Sequence, residues 1–372
     1  MHFCPPHHRL MMNHEPRRNV GRLKPHTAAS DSMTRLRPLI LVLFLLLLAR
    51  PARAMEPCPP DAPCVSAETA MKVASGQAPN AANLKGAFVD WVSLDVRTYT
   101  HDAPAGQRLQ LMYPQGTWFS VRDRKVVDGD LWYQTASGRW VYADDTTLWE
   151  PSRLHGHLFT GNEQGQLGFI IEDDVAVLPQ PSYAARPSHT LARYTPVGVL
   201  GRDNGYLRIA PGQWVAPSQV RLVTPTARPA EVGPEDRWIE VNLKAQTVAA
   251  YEGDKMIFAT LASTGKDPTP TITGVYYIYE KKLGEFMAGG WADHDPYILE
   301  DVPWTMYFTQ RYAIHGAYWH DEYGEVRSHG CVNLTPDDAR FLFVWSGPVV
   351  PPGETTVKAS PTNLGTWVYV HE

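Results

Sequence analysis

The sequence has 372 residues, 44% hydrophobic and 20% charged, a balance that argues against a wholly disordered or fibrous chain and suits two or three folded domains. Twelve Trp and 17 Tyr beside 32 Pro and 28 Gly favour short strands and turns over long helices. Residues 1–54 carry nine Lys/Arg against two Asp/Glu, a net of +7, and residues 55–372 carry 25 against 37, a net of −12; so acidic a body argues against a general nucleic-acid binder.

Leu39 to Ala49 is an unbroken apolar run of eleven residues. It is short for a membrane-spanning helix, which needs about 20 apolar residues, and fits the core of a signal peptide. Arg35 and Arg37 give the positive flank, and Ala52-Arg53-Ala54 gives a small-x-small cleavage site. A mature chain would then begin near Met55, with no membrane span left, and Met33 is a plausible true start. The competing reading is an uncleaved membrane anchor. Neither Cys58 nor Cys64 follows the small residues of a lipoprotein cleavage site. The chain is expected to be exported, to the periplasm or the cell envelope.

Cys58 and Cys64 bracket a short Pro-rich loop and could pair in an oxidising compartment. That leaves Cys331 as an odd thiol that needs a reason. Residues 55–86 are rich in Pro, Ala and Asn and read as a tether.

From about Ala87, short aromatic and β-branched runs broken by Gly, Asp and Pro predict an all-β region. A weak repeat runs through it: Trp140 aligns with Trp214, Trp132 with Tyr206, and Ala143 with Pro217. Both units, 87–150 and 167–224, read as a Gly-turned hairpin followed by a Trp-Val strand. They resemble small barrels of the bacterial SH3 type. Trp140 and Trp214 are expected to fill cores rather than to bind cell wall.

Residues 225–236 read as a Pro-rich linker between independently folding units. Beyond it, Trp238 to Leu243 alternates as a half-buried strand does. Lys244 to Gln246 reads as a turn, and Thr247–Tyr251, Ile257–Ser263 and Gly274–Tyr279 as further strands. Pro336 to Trp345 predicts one short helix, with Thr335 as its cap.

The densest chemical signal is Ile314-His315-Gly316 followed by Ser328-His329-Gly330-Cys331-Val332-Asn333-Leu334. A cysteine nucleophile needs a base or an imidazolium to release its thiolate from a pKa of about 8.5. His315 lies sixteen residues before Cys331, a distance that lets a loop leave one strand and return beside it. Gly330 allows a tight turn whose N–H groups could stabilise an oxyanion. The residues alone leave two alternatives open: a buried structural Cys and His, and a zinc site drawn from His315, His320, His329 and Cys331. No short zinc motif is matched.

At these residues the sequence resembles the L,D-transpeptidases with a YkuD-type catalytic domain. The resemblance runs over roughly Arg237 to Ala359. It includes the opening strand from Trp238 and the segment Pro303-Trp304-Thr305-Met306-Tyr307-Phe308. Twelve residues separate His315 from Ser328, slightly fewer than the family's usual loop, and Lys281 to Asp301 does not align.

The resemblance implies a mostly β fold: a β-sandwich catalytic domain with a short helix over 237–360, after the β modules and before a C-terminal extension, 361–372. It implies Cys331 as nucleophile, His315 as proton donor and acceptor, and the Gly316 carbonyl as orienter of the imidazole. His329, Gly330 and Cys331 would frame the oxyanion site, with Ser328 and Asn333 in support. Trp304, Met306 and Phe308 would line the acyl-donor pocket. His320 and His294 read as solvated loop residues. The expected chemistry is acyl transfer from tetrapeptide stems of peptidoglycan to form 3→3 crosslinks, without metal or cofactor, and with carbapenem-type compounds as inhibitors. The alternatives are an L,D-carboxypeptidase using the same pair and an inactive wall-binding scaffold; the presence of both His315 and Cys331 argues against the latter.

Overall fold

A computed structural model describes residues 90–290 and 296–372. The export segment, residues 55–89 with Cys58 and Cys64, and His294 lie outside the described residues. None of the described helices is long and apolar enough to cross a membrane.

The chain is mostly β. One sheet has the order Gly274–Tyr277, Trp367–His371, Arg237–Asn242, Thr247–Glu252, Lys255–Leu261 and His157–Leu158. The opening hairpin closes at Asn242↔Thr247. In its turn Gln246 adopts φ 53°, and the Ala245 N–H donates to Asn242 Oδ1 at 2.8 Å. The second sheet carries Val332–Leu334, Ala313–Gly316 and Tyr297–Tyr307. The last of these also pairs antiparallel with Glu280–Gly289.

The two sheets and the helix Pro336–Trp345 enclose one core, built on Ile239, Val241, Phe258, Met306, Ile314, Val332, Phe341 and Trp345. Thr335 caps the helix: its Oγ1 accepts the Asp338 N–H at 3.2 Å.

Three expectations change. Trp238 to Val241 is buried on both faces, not one. Trp238 and Tyr251 stack at 4.1 Å in a second core that includes Leu154, Phe169, Tyr194, Val223 and Val232 from the N-terminal half. Residues 225–236 are therefore a packed strap, not a free linker: Val232 is buried, and Arg228 Nε donates to Asp254 Oδ1 at 2.9 Å. Residues 361–372 are not an extension either. Trp367–His371 runs inside the first sheet, parallel to Arg237–Asn242 and antiparallel to Gly274–Tyr277. Its Val368 and Val370 enter the main core, which is why the alternating WVYVH segment is held.

The repeat in the N-terminal half is structural. Asp130–Gln134 and Trp140–Tyr142 lead into a short 3-10 turn at Ala143 and then Thr146–Leu148. Tyr206–Ala210 and Gln213–Val215 lead likewise into a turn at Pro217 and then Val220–Leu222. Trp140, Trp132 and Tyr206 are buried, while Trp214 is half-buried beneath the Arg208 guanidinium. The first unit is joined to the catalytic sheet. Asp90–Leu94, Trp118–Val121 and Thr146–Leu148 continue it through a parallel bridge, Leu299↔Trp118.

Candidate active site

Two short neighbouring strands build the site. Ala313–Gly316 runs parallel to Val332–Leu334, with Ile314 opposite Val332, His315 opposite Asn333 and Gly316 opposite Leu334. Ile314, Val332 and Leu334 are fully buried in the core, and this apolar anchoring sets the register. Side chains alternate along a strand, so His315 and Asn333 share the opposite face. Cys331 immediately precedes the second strand, and the Ala313 backbone N–H bonds to its sulfur.

Gly316 permits the close packing behind this strand. A Cβ there would lie 2.9 Å from Pro303 Cγ and 2.9 Å from Pro336 Cα. Gly330 sits at φ 120°, where a Cβ would meet Tyr312 Cε1 at 2.6 Å. Ser328 knits the turn: its Oγ donates to the Cys331 carbonyl at 2.5 Å and accepts the Gly330 N–H at 3.0 Å. The Gly330 carbonyl accepts from Thr271 Oγ1 at 2.8 Å. The Gly330 N–H is thus engaged by Ser328 inside the turn, not free for the expected oxyanion frame.

His315 is 1% exposed, and its Nδ1 lies 3.2 Å from the Gly316 carbonyl. That contact puts the proton on Nδ1 and the lone pair on Nε2. Burial lowers its pKa to about 4, the Gly316 bond opposing. Burial raises the Cys331 thiol to about 11, although the Ala313 backbone N–H favours its thiolate. The Cys331 sulfur lies 4.0 Å from the Arg311 carbonyl. Both shifts favour a neutral thiol and a neutral imidazole.

The structure places Trp304, Met306 and Phe308 in the main core, not on the site. Trp304 and Met306 are buried within Tyr297–Tyr307, and Phe308 follows just past its end. The other side presents Tyr307 and Tyr297. The Tyr297 phenol is raised by burial first and then by the Cys331 charge. For Tyr307, burial is followed by the Glu285 charge and then that of Cys331. The Tyr297 ring also lies 5.0 Å from that of His329.

His320 is not a solvated loop residue. It is half-buried against the site, with its Nε2 3.0 Å from the Asn333 amide. Among the described residues no three His, Cys, Asp or Glu are grouped to hold a metal ion.

The first β unit supplies a wall. Tyr318, three residues after His315, stacks on Trp91 at 4.5 Å and lies 5.5 Å from Trp118. Its neighbour Trp319 lies 5.6 Å from the His315 ring.

A family model described as the L,D-transpeptidase catalytic domain, YkuD, matches residues 236–370. These residues form an L,D-transpeptidase catalytic domain of the YkuD family. The match takes in both site strands, the helix and the final strand. The Bacillus subtilis (strain 168) protein YciB, named as an L,D-transpeptidase, is 29% identical over 119 residues, which are 28% of this chain and 59% of that protein. The chain thus spans less than two thirds of that relative's length. Among solved structures, the catalytic domain of the E. faecium L,D-transpeptidase is 31% identical, covering 37% of this chain and 98% of that one, at a TM-score of 0.29. L,D-transpeptidase 3 from Mycobacterium tuberculosis, in complex with a faropenem-derived adduct, is 20% identical, covering 43% of this chain and 73% of that one, at a TM-score of 0.31.

Proposed function

We propose that the protein is an exported cysteine acyltransferase that forms 3→3 peptidoglycan crosslinks from tetrapeptide stems. The observation that carries this reading is the register that pairs His315 with Asn333 on adjoining strands, two residues past Cys331, with the His315 Nδ1 held by the Gly316 carbonyl.

Cys331 Sγ attacks the carbonyl of the third stem residue while His315 Nε2 accepts the thiol proton. Because the resting pair is neutral, transfer and attack are coupled. The carbonyl oxygen gains the negative charge, and the Cys331 N–H faces it as donor. The tetrahedral centre collapses as His315 returns the proton to the amine of the departing D-alanine, leaving a thioester on Cys331. A side-chain amine of a second stem then attacks the thioester. His315 takes the amine's proton and passes it to the released sulfur. Every step uses this chain's own residues.

The test is product analysis by mass after incubating the purified protein with disaccharide-tetrapeptides. Dimers linked 3→3 support the proposal. Disaccharide-tripeptides alone would indicate that water is the acceptor and that the protein is an L,D-carboxypeptidase. Unchanged substrate would contradict both.

A further inference from the structure

The loop that runs from His315 to Cys331 is gripped by the second β unit. The Tyr194 phenol donates to the Asp321 carbonyl at 2.6 Å and accepts the Tyr323 N–H at 3.2 Å. Arg221 Nε donates to the Gly324 carbonyl at 3.1 Å. The catalytic domain holds the same turn from its own side. Ser263 Oγ donates to the Glu322 carbonyl at 2.7 Å, and the Gly324 N–H donates to the Ala262 carbonyl at 2.9 Å.

Tyr194 is 4% exposed and sits at φ 68°. That left-handed backbone suits Gly or Asn and is costly for a bulky side chain. Neighbouring backbone bonds impose it: the Tyr194 N–H donates to the Ile170 carbonyl at 2.7 Å, and the Ile170 N–H to the Thr195 carbonyl at 3.0 Å. A tyrosine stands where a glycine would fit more easily, and the phenol is what a glycine would lack.

From the turn, the bonds lead on to the base. Tyr323 is 1% exposed, and its phenol donates to the Ala317 carbonyl at 2.6 Å. The Ala317 N–H donates to the Leu334 carbonyl at 2.8 Å. That N–H belongs to the same planar peptide unit as the Gly316 carbonyl, which lies 3.2 Å from His315 Nδ1. Ala317 is therefore held on both sides, and with it the carbonyl that orients the imidazole.

Resting on the acyl-transfer function proposed above, we propose that Tyr194 of the second β unit is a positioning residue for the reaction: through Tyr323 and the Gly316–Ala317 peptide it fixes the His315 imidazole. Without the Tyr194 hydroxyl, the Asp321 carbonyl and the Tyr323 N–H lose a buried partner. The turn loosens, the Tyr323 phenol no longer holds Ala317 firmly, and His315 loses its alignment. The loss falls on proton transfer and not on binding, so it lowers the maximal rate and leaves half-saturation unchanged.

Two measurements test this. The first follows acylation of Cys331 by a carbapenem, well below the melting temperature, in Tyr194→Phe, Tyr323→Phe, the double variant and Val177→Ala. The maximal acylation rate should fall about tenfold in Tyr194→Phe, the scale of one buried hydrogen bond, at an unchanged half-saturating concentration. The double variant should be no slower than the slower single variant, because the two phenols act in series. Val177→Ala hollows a core of the same β unit that contains no residue of the loop; it should melt lower and acylate at the wild-type rate. A wild-type rate in Tyr194→Phe, losses that multiply in the double variant, or equal slowing in Val177→Ala would each overturn the proposal. The second measurement is NMR of the His315 Nδ1–H, whose exchange with solvent should be about tenfold faster in Tyr194→Phe; unchanged exchange would overturn the proposal. A wild type that forms no adduct would instead overturn the acyl-transfer function, while the NMR comparison still decides whether Tyr194 holds His315.

Discussion

His315 and Cys331 are both shifted by burial towards their neutral forms, to about 4 and about 11. The base must be neutral to act, so activity is lost only as pH falls through the His315 value. The rate of Cys331 acylation by a carbapenem, measured by stopped-flow, should accordingly be nearly flat from pH 5 to 9. A limb centred near pH 6–7 would indicate a preformed thiolate–imidazolium pair instead. The motif residues were legible because their signal is local: a Gly at a positive φ, a Ser that closes the turn, a His and a Cys a loop apart. Tyr297 and Tyr307 were not. The sequence Pro303 to Phe308 carries bulky residues on both sides, and parity alone does not say which side faces Cys331. The sheet does, by packing Trp304, Met306 and Phe308 inward. His320 was missed because nothing in the sequence announces its bond to Asn333, thirteen residues on.

At the scale of elements, the first β unit acts on the site through one stack. Trp91 is 5% exposed, lies on Tyr318, and meets Trp149 edge-on at 5.0 Å. Trp91→Ala should cost about 3–5 kcal/mol, the usual range for a buried Trp. It should also slow carbapenem acylation well below the melting temperature, because Tyr318 and Trp319 back the His315 strand. Trp132→Ala, in the same unit but away from Tyr318, should destabilise without slowing acylation. Equal acylation rates in both variants would refute a role for the stack. The strands and helix of the catalytic half were readable because their period is clean and their turns are marked by Asn242 and Thr335. The last strand was misplaced because five residues at a chain end carry no sign that a parallel partner waits at Arg237–Asn242.

At the scale of the molecule, the halves share one core and two sheets, which composition alone could not show: a Pro-rich segment reads the same whether it swings free or is packed through Val232. Thermal unfolding followed by calorimetry should give one transition, and limited proteolysis should not separate the halves at 225–236. Two separated transitions would contradict this. Glu300 sits at the junction, 6% exposed, accepting the Ala136 N–H at 3.1 Å. Burial raises it to about 7, with the Asp301 charge adding and the Ala136 bond opposing. A carboxyl whose folded value exceeds its unfolded one loses stability as pH rises between the two, here from the ordinary value of 4.5 to about 7. Glu300→Gln should therefore melt higher than the wild type at pH 8, with the gap narrowing towards pH 5; a constant gap would mean that the carboxyl does not titrate there. The central claim is that Cys331 carries the acyl group. Intact-mass analysis after exposure to a carbapenem tests it directly: one adduct per chain in the wild type and none in Cys331→Ala is the expected result, and an adduct that persists in Cys331→Ala would contradict it.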